Sequence, residues 1–262
     1  MQELELHWID AFTSEVFGGN PAAVVPLESW LDDGTLMAIA AENGLSETAF
    51  LVPAGDGYEL RWFTPKVEVE LCGHATLASG WVVMNELQPG AHRVTFQSRH
   101  SGVLAVARDG DRYVLDFPAR PAERVAPEPA LAKAFDREPA EVWRTQDTVM
   151  AVFETAADVE ALWPNMELVN QLGGYAMVTA PGAGDIDFVS RFFAPGAGIP
   201  EDPVTGSAHT TLVPYWAERL GRPALRARQV SARGGDLWCV HRGARVDIAG
   251  HATRYLRGTI YI

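Results

Sequence analysis

Arg61-Trp62-Phe63-Thr64-Pro65 recurs as Arg191-Phe192-Phe193-Ala194-Pro195, an offset of 130 positions. Further on, Gly73-His74-Ala75 matches Gly206-Ser207-Ala208 at an offset of 133, and that offset holds. Ser98 and Gly102 fall on Ser231 and Gly235, and Gly110 and Arg112 fall on Gly243 and Arg245. Three residues are inserted between the second proline and its glycine. A chain of 262 residues that repeats at half its length reads as two homologous halves facing each other. A site built from the matched motifs is then expected in the cleft between them.

Each half promises one helix wrapped by strands. The segment 73–85 is apolar almost all round, with Ala75, Leu77, Ala78, Trp81, Val82, Val83 and Met84, so it must be buried on every side. A rolled sheet would do that. Strands are expected at 4–12, 22–25, 49–52, 58–63, 94–97, 102–107 and 113–117, with a helix over 33–43 stopped by Gly44. The segment 118–129 holds four prolines and is the best candidate for an interdomain linker. The second half repeats the programme. It has strands at 150–153, 176–180 and 188–193, partial helix over 158–172, a Gly/Pro loop from 195 to 203 and a helix over 206–220. Pro214 inside that helix removes a backbone bond and is expected to kink it. The domains are accordingly placed at 1–117, completed by 250–262 if the chain end returns, and at 118–249.

Bulk properties exclude several classes of function. The net charge is −13, from 34 acidic and 21 basic residues, which argues against nucleic acid and anionic lipid as partners. A small anionic substrate remains open, because local backbone dipoles act at short range where distant charge is screened. There is no apolar run of about 18 residues to span a membrane. The start MQELELHWIDAF lacks the pattern of a secretory leader. Two cysteines, Cys72 and Cys239, suit a reducing compartment, so the cytoplasm is expected. The size and apolar content suit a homodimer.

The chemistry gathers at the two helix starts. A helix N-terminus leaves backbone N–H groups unpaired and carries about half a positive charge. Glycine there, as Gly73 and Gly206, lets a ligand approach closely. Two such ends would grip a carboxylate or hold a developing enolate. His74 adjoins the first glycine, Asp202 lies four residues before the second, and Ser207 follows it. Glu47 lies between a helix stop and an apolar strand, where partial desolvation would tune it toward general acid/base work. Taken singly, Glu47 reads better as a solvated turn residue, and His74 and Asp202 read also as a satisfied helix residue and a cap.

Four stretches together resemble the PhzF-like family, named after the phenazine-biosynthesis isomerase. They are Gly19-Asn20-Pro21-Ala22-Ala23-Val24, Leu45-Ser46-Glu47-Thr48-Ala49-Phe50, Leu71-Cys72-Gly73-His74-Ala75-Thr76-Leu77-Ala78, and Glu201-Asp202-Pro203-Val204-Thr205-Gly206-Ser207-Ala208-His209. They run from near the N-terminus to the last third. The resemblance implies the diaminopimelate-epimerase-like α+β fold. That fold has two pseudo-symmetric domains, each a rolled, barrel-like, mostly antiparallel sheet around a central helix, with the active site in the cleft. It implies Glu47 as catalytic acid/base, His74 and Asp202 as further catalytic groups, and Asn20, Gly73, Gly206 and Ser207 as substrate-binding positions. It also implies a proton shift on a small carboxylate-bearing substrate, with no metal or organic cofactor.

Epimerases of this fold use one thiol at each helix start. Cys72 fills the first place, but Thr205-Gly206-Ser207-Ala208 offers no second thiol. Cys239 falls in register with Val106 and reads as core. A two-thiol epimerase is therefore disfavoured. An epimerase that pairs Glu47 with another partner, and a non-catalytic binding protein on the same fold, are the alternatives. The other histidines, His209 among them, show no metal-ligand spacing. No phosphate loop or dinucleotide fingerprint is present.

Overall fold

The computed structural model describes Met1–Ile262 and divides into two compact units, Met1–Asp116 with Ala249–Ile262, and Phe117–Ile248. In the first unit, β1 (Glu3–Ala11) pairs antiparallel with β2 (Asn20–Pro26). Helix α1 (Asp33–Asn43) then crosses to β3 (Glu47–Ala54), which lies parallel to β2. Strand β4 (Gly57–Phe63) returns antiparallel and holds the short β5 (Glu68–Val69) at its end. Helix α2 (Gly73–Val82) is the second crossover and leads to β6 (Arg93–Ser98), parallel to β4. Strands β7 (Gly102–Asp109) and β8 (Arg112–Pro118) follow antiparallel. A parallel pair cannot be joined by a tight turn, so each such pair demands a crossover, and here both crossovers are helical.

The sheet wraps α2. Nine of its ten residues are buried, and it packs on β1, β2, β3 and β7. Gly80 permits the tightest approach. A Cβ there would lie 2.6 Å from Val106 Cγ1 on β7. On the other side of the sheet, α1 lays Leu36, Ile39 and Ala40 over Leu4, Leu6, Val25, Phe50 and Phe63. The α1 ends are set locally. The side chain of Asp32 accepts from the Thr35 N–H at 3.0 Å, and Gly44 closes the helix in the left-handed conformation.

The second unit opens with β9 (Glu123–Val125), α3 (Pro129–Phe135) and β10 (Glu141–Arg144). Next come β11 (Val149–Val152), α4 (Ala156–Glu160), α5 (Met166–Gln171) and β12 (Ala176–Pro181), with β11 and β12 parallel. Strand β13 (Phe188–Ala194) runs antiparallel to β12 and holds β14 (Ile199–Asp202). Helix α6 (Gly206–Leu220) crosses to β15 (Ala224–Gln229), parallel to β13 and antiparallel to β16 (Gly235–Arg242). This is the pairing sequence of the first unit, step for step. Strand β17 (Arg245–Gly250) follows, and β18 (Ala252–Tyr261) belongs to the first unit, where it pairs with β1 from Glu3 opposite Tyr261 to Ala11 opposite Ala252.

Three expectations are corrected. The segment 118–129 is not a free linker. Ala119 N–H bonds the Ala244 carbonyl, Arg120 N–H bonds the Thr210 carbonyl, and β9 pairs with β10. Its prolines interrupt periodicity without preventing these isolated backbone bonds. The stretch 195–203 is likewise no plain loop, since a 3₁₀ turn (Pro195–Ala197) leads into β14. The first central helix stops at Val82 as an α-helix, and Val83–Leu87 continue it as a π turn closed by Gln88 N–H to the Val83 carbonyl. Helix α6 is continuous through Pro214. The carbonyl that loses its helical donor there is that of Thr210, and Arg120 N–H replaces the missing donor at 3.0 Å.

Candidate active site

Asn20 and Glu47 are the first residues of neighbouring parallel strands, with Glu47 opposite Ala22. Parallel strands start at the same end of a sheet, so both side chains reach one edge. The chain before Asn20 makes a close turn that only glycine allows. Gly19 has φ +59°, and a Cβ on it would lie 2.1 Å from the Ala11 carbonyl oxygen. At the same edge α2 begins, with Cys72 as its cap residue, Gly73 as its first turn residue and His74 next.

His74 is the hub of this cluster. Its ring is buried, with Nδ1 3.1 Å from Asn20 Nδ2 and 3.5 Å from Cys72 Sγ. Its Nε2 lies 3.2 Å from Glu47 Oε2, near enough for a hydrogen bond but not aligned for one. Burial pushes the His74 pKa down to about 3, so the ring is neutral at neutral pH. The Asn20 amide and the Cys72 thiol are both donors, so Nδ1 is the acceptor. The proton then sits on Nε2, facing Glu47, an assignment that rests on the surrounding network. The Glu47 side chain keeps 13% of its surface exposed, so it lines the unit's surface while remaining largely shielded.

In the second unit, Asp202 ends β14 and is buried, with Oδ2 accepting from Thr205 Oγ1 at 2.5 Å. Thr205 caps α6, Gly206 opens it and Ser207 follows, half-buried. Gln229, at the end of β15, holds the loop together. Its Oε1 accepts from Thr205 N–H at 2.8 Å, and its Nε2 donates to the Asp202 carbonyl at 2.7 Å. Sequence reading missed Gln229, because the loop that it clamps lies more than twenty positions upstream and nothing local marks it. His209 is fixed in the opposite sense to His74. Its Nδ1–H donates to the Thr205 carbonyl at 2.8 Å, and burial lowers its pKa to about 4. In the first unit Thr76 occupies the matching place, with Oγ1 donating to the Cys72 carbonyl at 2.5 Å. The same helix position in each half therefore secures the cap carbonyl.

The structure thus gathers Asn20, Glu47, Cys72, Gly73 and His74 in one unit, and Asp202, Gly206 and Ser207 in the other. Cys72 joins the first cluster through its 3.5 Å contact with His74 Nδ1. One ligand atom each from Glu47, Cys72 and His74 lies within 4.8 Å of the other two, a donor set that spacing along the sequence concealed. Cys239 is buried in β16, and its thiol is pushed up well beyond the usual range by burial. A cavity of about 660 Å³ in the second unit, bordered by Trp143, Pro214, Tyr215, Arg222 and His241, contains none of the expected site residues.

A family model described as phenazine biosynthesis-like protein matches residues 9–258. An uncharacterised isomerase of Pseudomonas aeruginosa is 47% identical over 260 residues, covering 99% of this chain and 100% of that one. The solved structure of a PhzF family protein from Enterococcus faecalis is similar at 42% identity and a TM-score of 0.95, with 100% of both chains covered. A predicted epimerase of Pseudomonas aeruginosa, 21% identical at a TM-score of 0.77 with 99% of each chain covered, shares the fold. The chain belongs to the phenazine biosynthesis-like (PhzF) family of isomerases.

Proposed function

We propose that the chain moves a proton on a small carboxylate-bearing substrate by carboxylate acid/base catalysis, without a cofactor. The observation that carries this reading is Glu47, largely shielded and 3.2 Å from the neutral ring of buried His74. Glu47 takes a proton from a carbon activated by conjugation, the C–H electron pair delocalises toward the substrate carboxylate, and the same carboxylic acid protonates another carbon. His74 presents Nε2–H beside the Glu47 carboxylate, 3.2 Å away. Asn20 holds the His74 tautomer. Gly73 leaves room for substrate at the first helix start, and Gly206 and Ser207 bind its carboxylate with the N–H groups of the second. Asp202, kept in place by Thr205 and Gln229, is the second proton-handling group.

The reading extends to the cytoplasm, supported by two buried cysteines that form no disulfide, and to a homodimer, which light scattering tests. No helix is long and apolar enough to cross a membrane.

The test is solvent exchange in D₂O with a panel of amino acids and unsaturated hydroxy- and amino-carboxylates. Label at a new carbon supports the proton shift. Label at the original carbon with inverted configuration makes the chain an epimerase instead. Glu47→Gln is expected to slow labelling by about 10²–10⁴-fold, the usual contribution of a general acid/base group. Full labelling in Glu47→Gln would remove Glu47 from the mechanism, and no label with any compound would favour a binding protein.

A further inference from the structure

We infer that Cys72, His74 and Glu47 form a binding site for a thiophilic divalent cation, with Zn²⁺ the best match, and that its occupation shuts down the proton-transfer site. Sulfur, imidazole nitrogen and carboxylate oxygen are the donor types that zinc takes in proteins. Zinc–sulfur and zinc–nitrogen bonds of about 2.3 and 2.0 Å at a tetrahedral angle put the two donor atoms about 3.5 Å apart. Cys72 Sγ and His74 Nδ1 already stand 3.5 Å apart. A carboxylate oxygen of Glu47, the Cys72 thiol and a ring nitrogen of His74 lie within 4.8 Å of one another, and Glu47, the most exposed of the three at 13%, rotates its side chain to complete the set. Water takes the fourth position, as in three-ligand zinc sites.

The backbone supplies the preorganisation. Cys72 and His74 flank Gly73 at the first turn of a buried helix, and Glu47 opens a strand whose neighbours are fixed by β2 and β4. Zinc deprotonates its thiol on binding, so one proton is released to solvent as the Zn–S bond forms. Asn20 Nδ2 must then turn away from Nδ1, the atom that the metal takes. The binding itself stands apart from the proposed reaction. The shutdown rests on that reading, since the metal consumes Glu47 and reorients His74.

The experiment uses the full chain, stripped with a chelator, and titrates Zn²⁺ alone by calorimetry and Co²⁺ alone by absorption. One metal ion per chain and a thiolate-to-cobalt charge-transfer band are expected. Cys72→Ala should abolish the band and weaken Zn²⁺ by at least about tenfold, the low end of losses seen for lesser perturbations of metal sites. Cys239→Ala should leave both unchanged. Absence of the band in the unaltered chain, or an undiminished band in Cys72→Ala, would overturn the site. The spectrum reads binding without turnover. A chain that binds cobalt but labels no substrate therefore refutes the catalytic reading alone, and a chain that labels substrate at full rate under saturating Zn²⁺ refutes the shutdown alone.

Discussion

Arg61 and Arg191 make the same two contacts in their separate units. Arg61 lies 4.9 Å over the Phe63 ring and forks onto Glu68 through Nε and NH2, each at 2.7 Å. Arg191 lies 5.0 Å over Phe193 and forks onto Glu201 at 2.7 and 2.9 Å. Arginine and carboxylate are seven positions apart in the first unit and ten in the second. The three extra residues are absorbed by the 3₁₀ turn Pro195–Ala197. Each fork pins the short strand that leads to the helix start, so each is predicted to be a stability element. Arg61→Met should cost about 3 kcal/mol by urea unfolding, the low end for breaking a buried pair, because Glu68 keeps partial access to water. Arg191→Met should cost more, since its further bond goes to the Leu162 carbonyl at 2.7 Å, whereas that of Arg61 goes to the largely exposed Asp33 carboxylate at 2.9 Å. Lysine should rescue neither, lacking the planar fork. A near-neutral Arg61→Met would show that the fork is ornamental.

The repeat was legible because both copies keep the residue types that make these contacts. Helix α1 was legible from Gly44 and α6 from Gly206, where caps are local chemistry. What escaped notice depends on distant partners. Asn20 and Glu47 lie outside the strands expected at 22–25 and 49–52, yet they are paired strand starts, because Ala11 and Ala22 lie opposite them. The prolines of 118–129 suggested a linker, since a backbone bond to Thr210 leaves no trace in composition. Glu47, His74, Asp202 and the glycines are marked out as candidates by motifs, whereas Gln229 and the metal-capable trio become visible only once strands and helices are assembled.

The Thr210 carbonyl explains how a proline survives mid-helix in α6. With Arg120 N–H in place of the missing donor, and Thr211 Oγ1 donating to the Arg120 carbonyl at 2.7 Å, the opening is sealed. Proline in an unsupported helix interior costs about 3 kcal/mol. Pro214→Ala is therefore predicted to change stability by less than about 1 kcal/mol, offset in part by the proline's restriction of the unfolded chain. Thr211→Val should cost about 1–3 kcal/mol by leaving a carbonyl short of its donor. A gain near the full helix-interior penalty in Pro214→Ala would refute the seal.

Burial of His74 and His209 sets an acid limit. Their folded pKa values lie at about 3 and about 4, below the unfolded value of 6.5. Between those values the unfolded chain binds more protons than the folded one, so stability rises with pH there. The stabilising contribution of the two neutral rings is complete above about pH 6.5 and drains away as pH falls toward the folded values. Urea midpoints measured across that window should decline well before carboxylates titrate, and His209→Gln should flatten the decline. A midpoint constant from pH 7 to 5 would show that the rings are not held neutral.

Gly80 and Val106 offer the sharpest test of how tightly the first sheet grips its helix. The Cβ of an alanine at position 80 would meet Val106 Cγ1 at 2.6 Å and its Cβ at 2.7 Å, and a β-branched side chain in a buried strand has little freedom to yield. Gly80→Ala should therefore cost about 1–3 kcal/mol despite alanine's higher helix propensity. Val106→Ala alone should cost about 2 kcal/mol as a cavity. Combined, each change relieves the other: the added methyl fills the space that the valine vacates. The double variant should be more stable than the sum of the single costs by at least about 0.5 kcal/mol, the threshold at which contacting residues separate from independent ones. Strict additivity would mean that α2 shifts to make room, and the helix start carrying Gly73 and His74 would then be less firmly placed than its burial suggests.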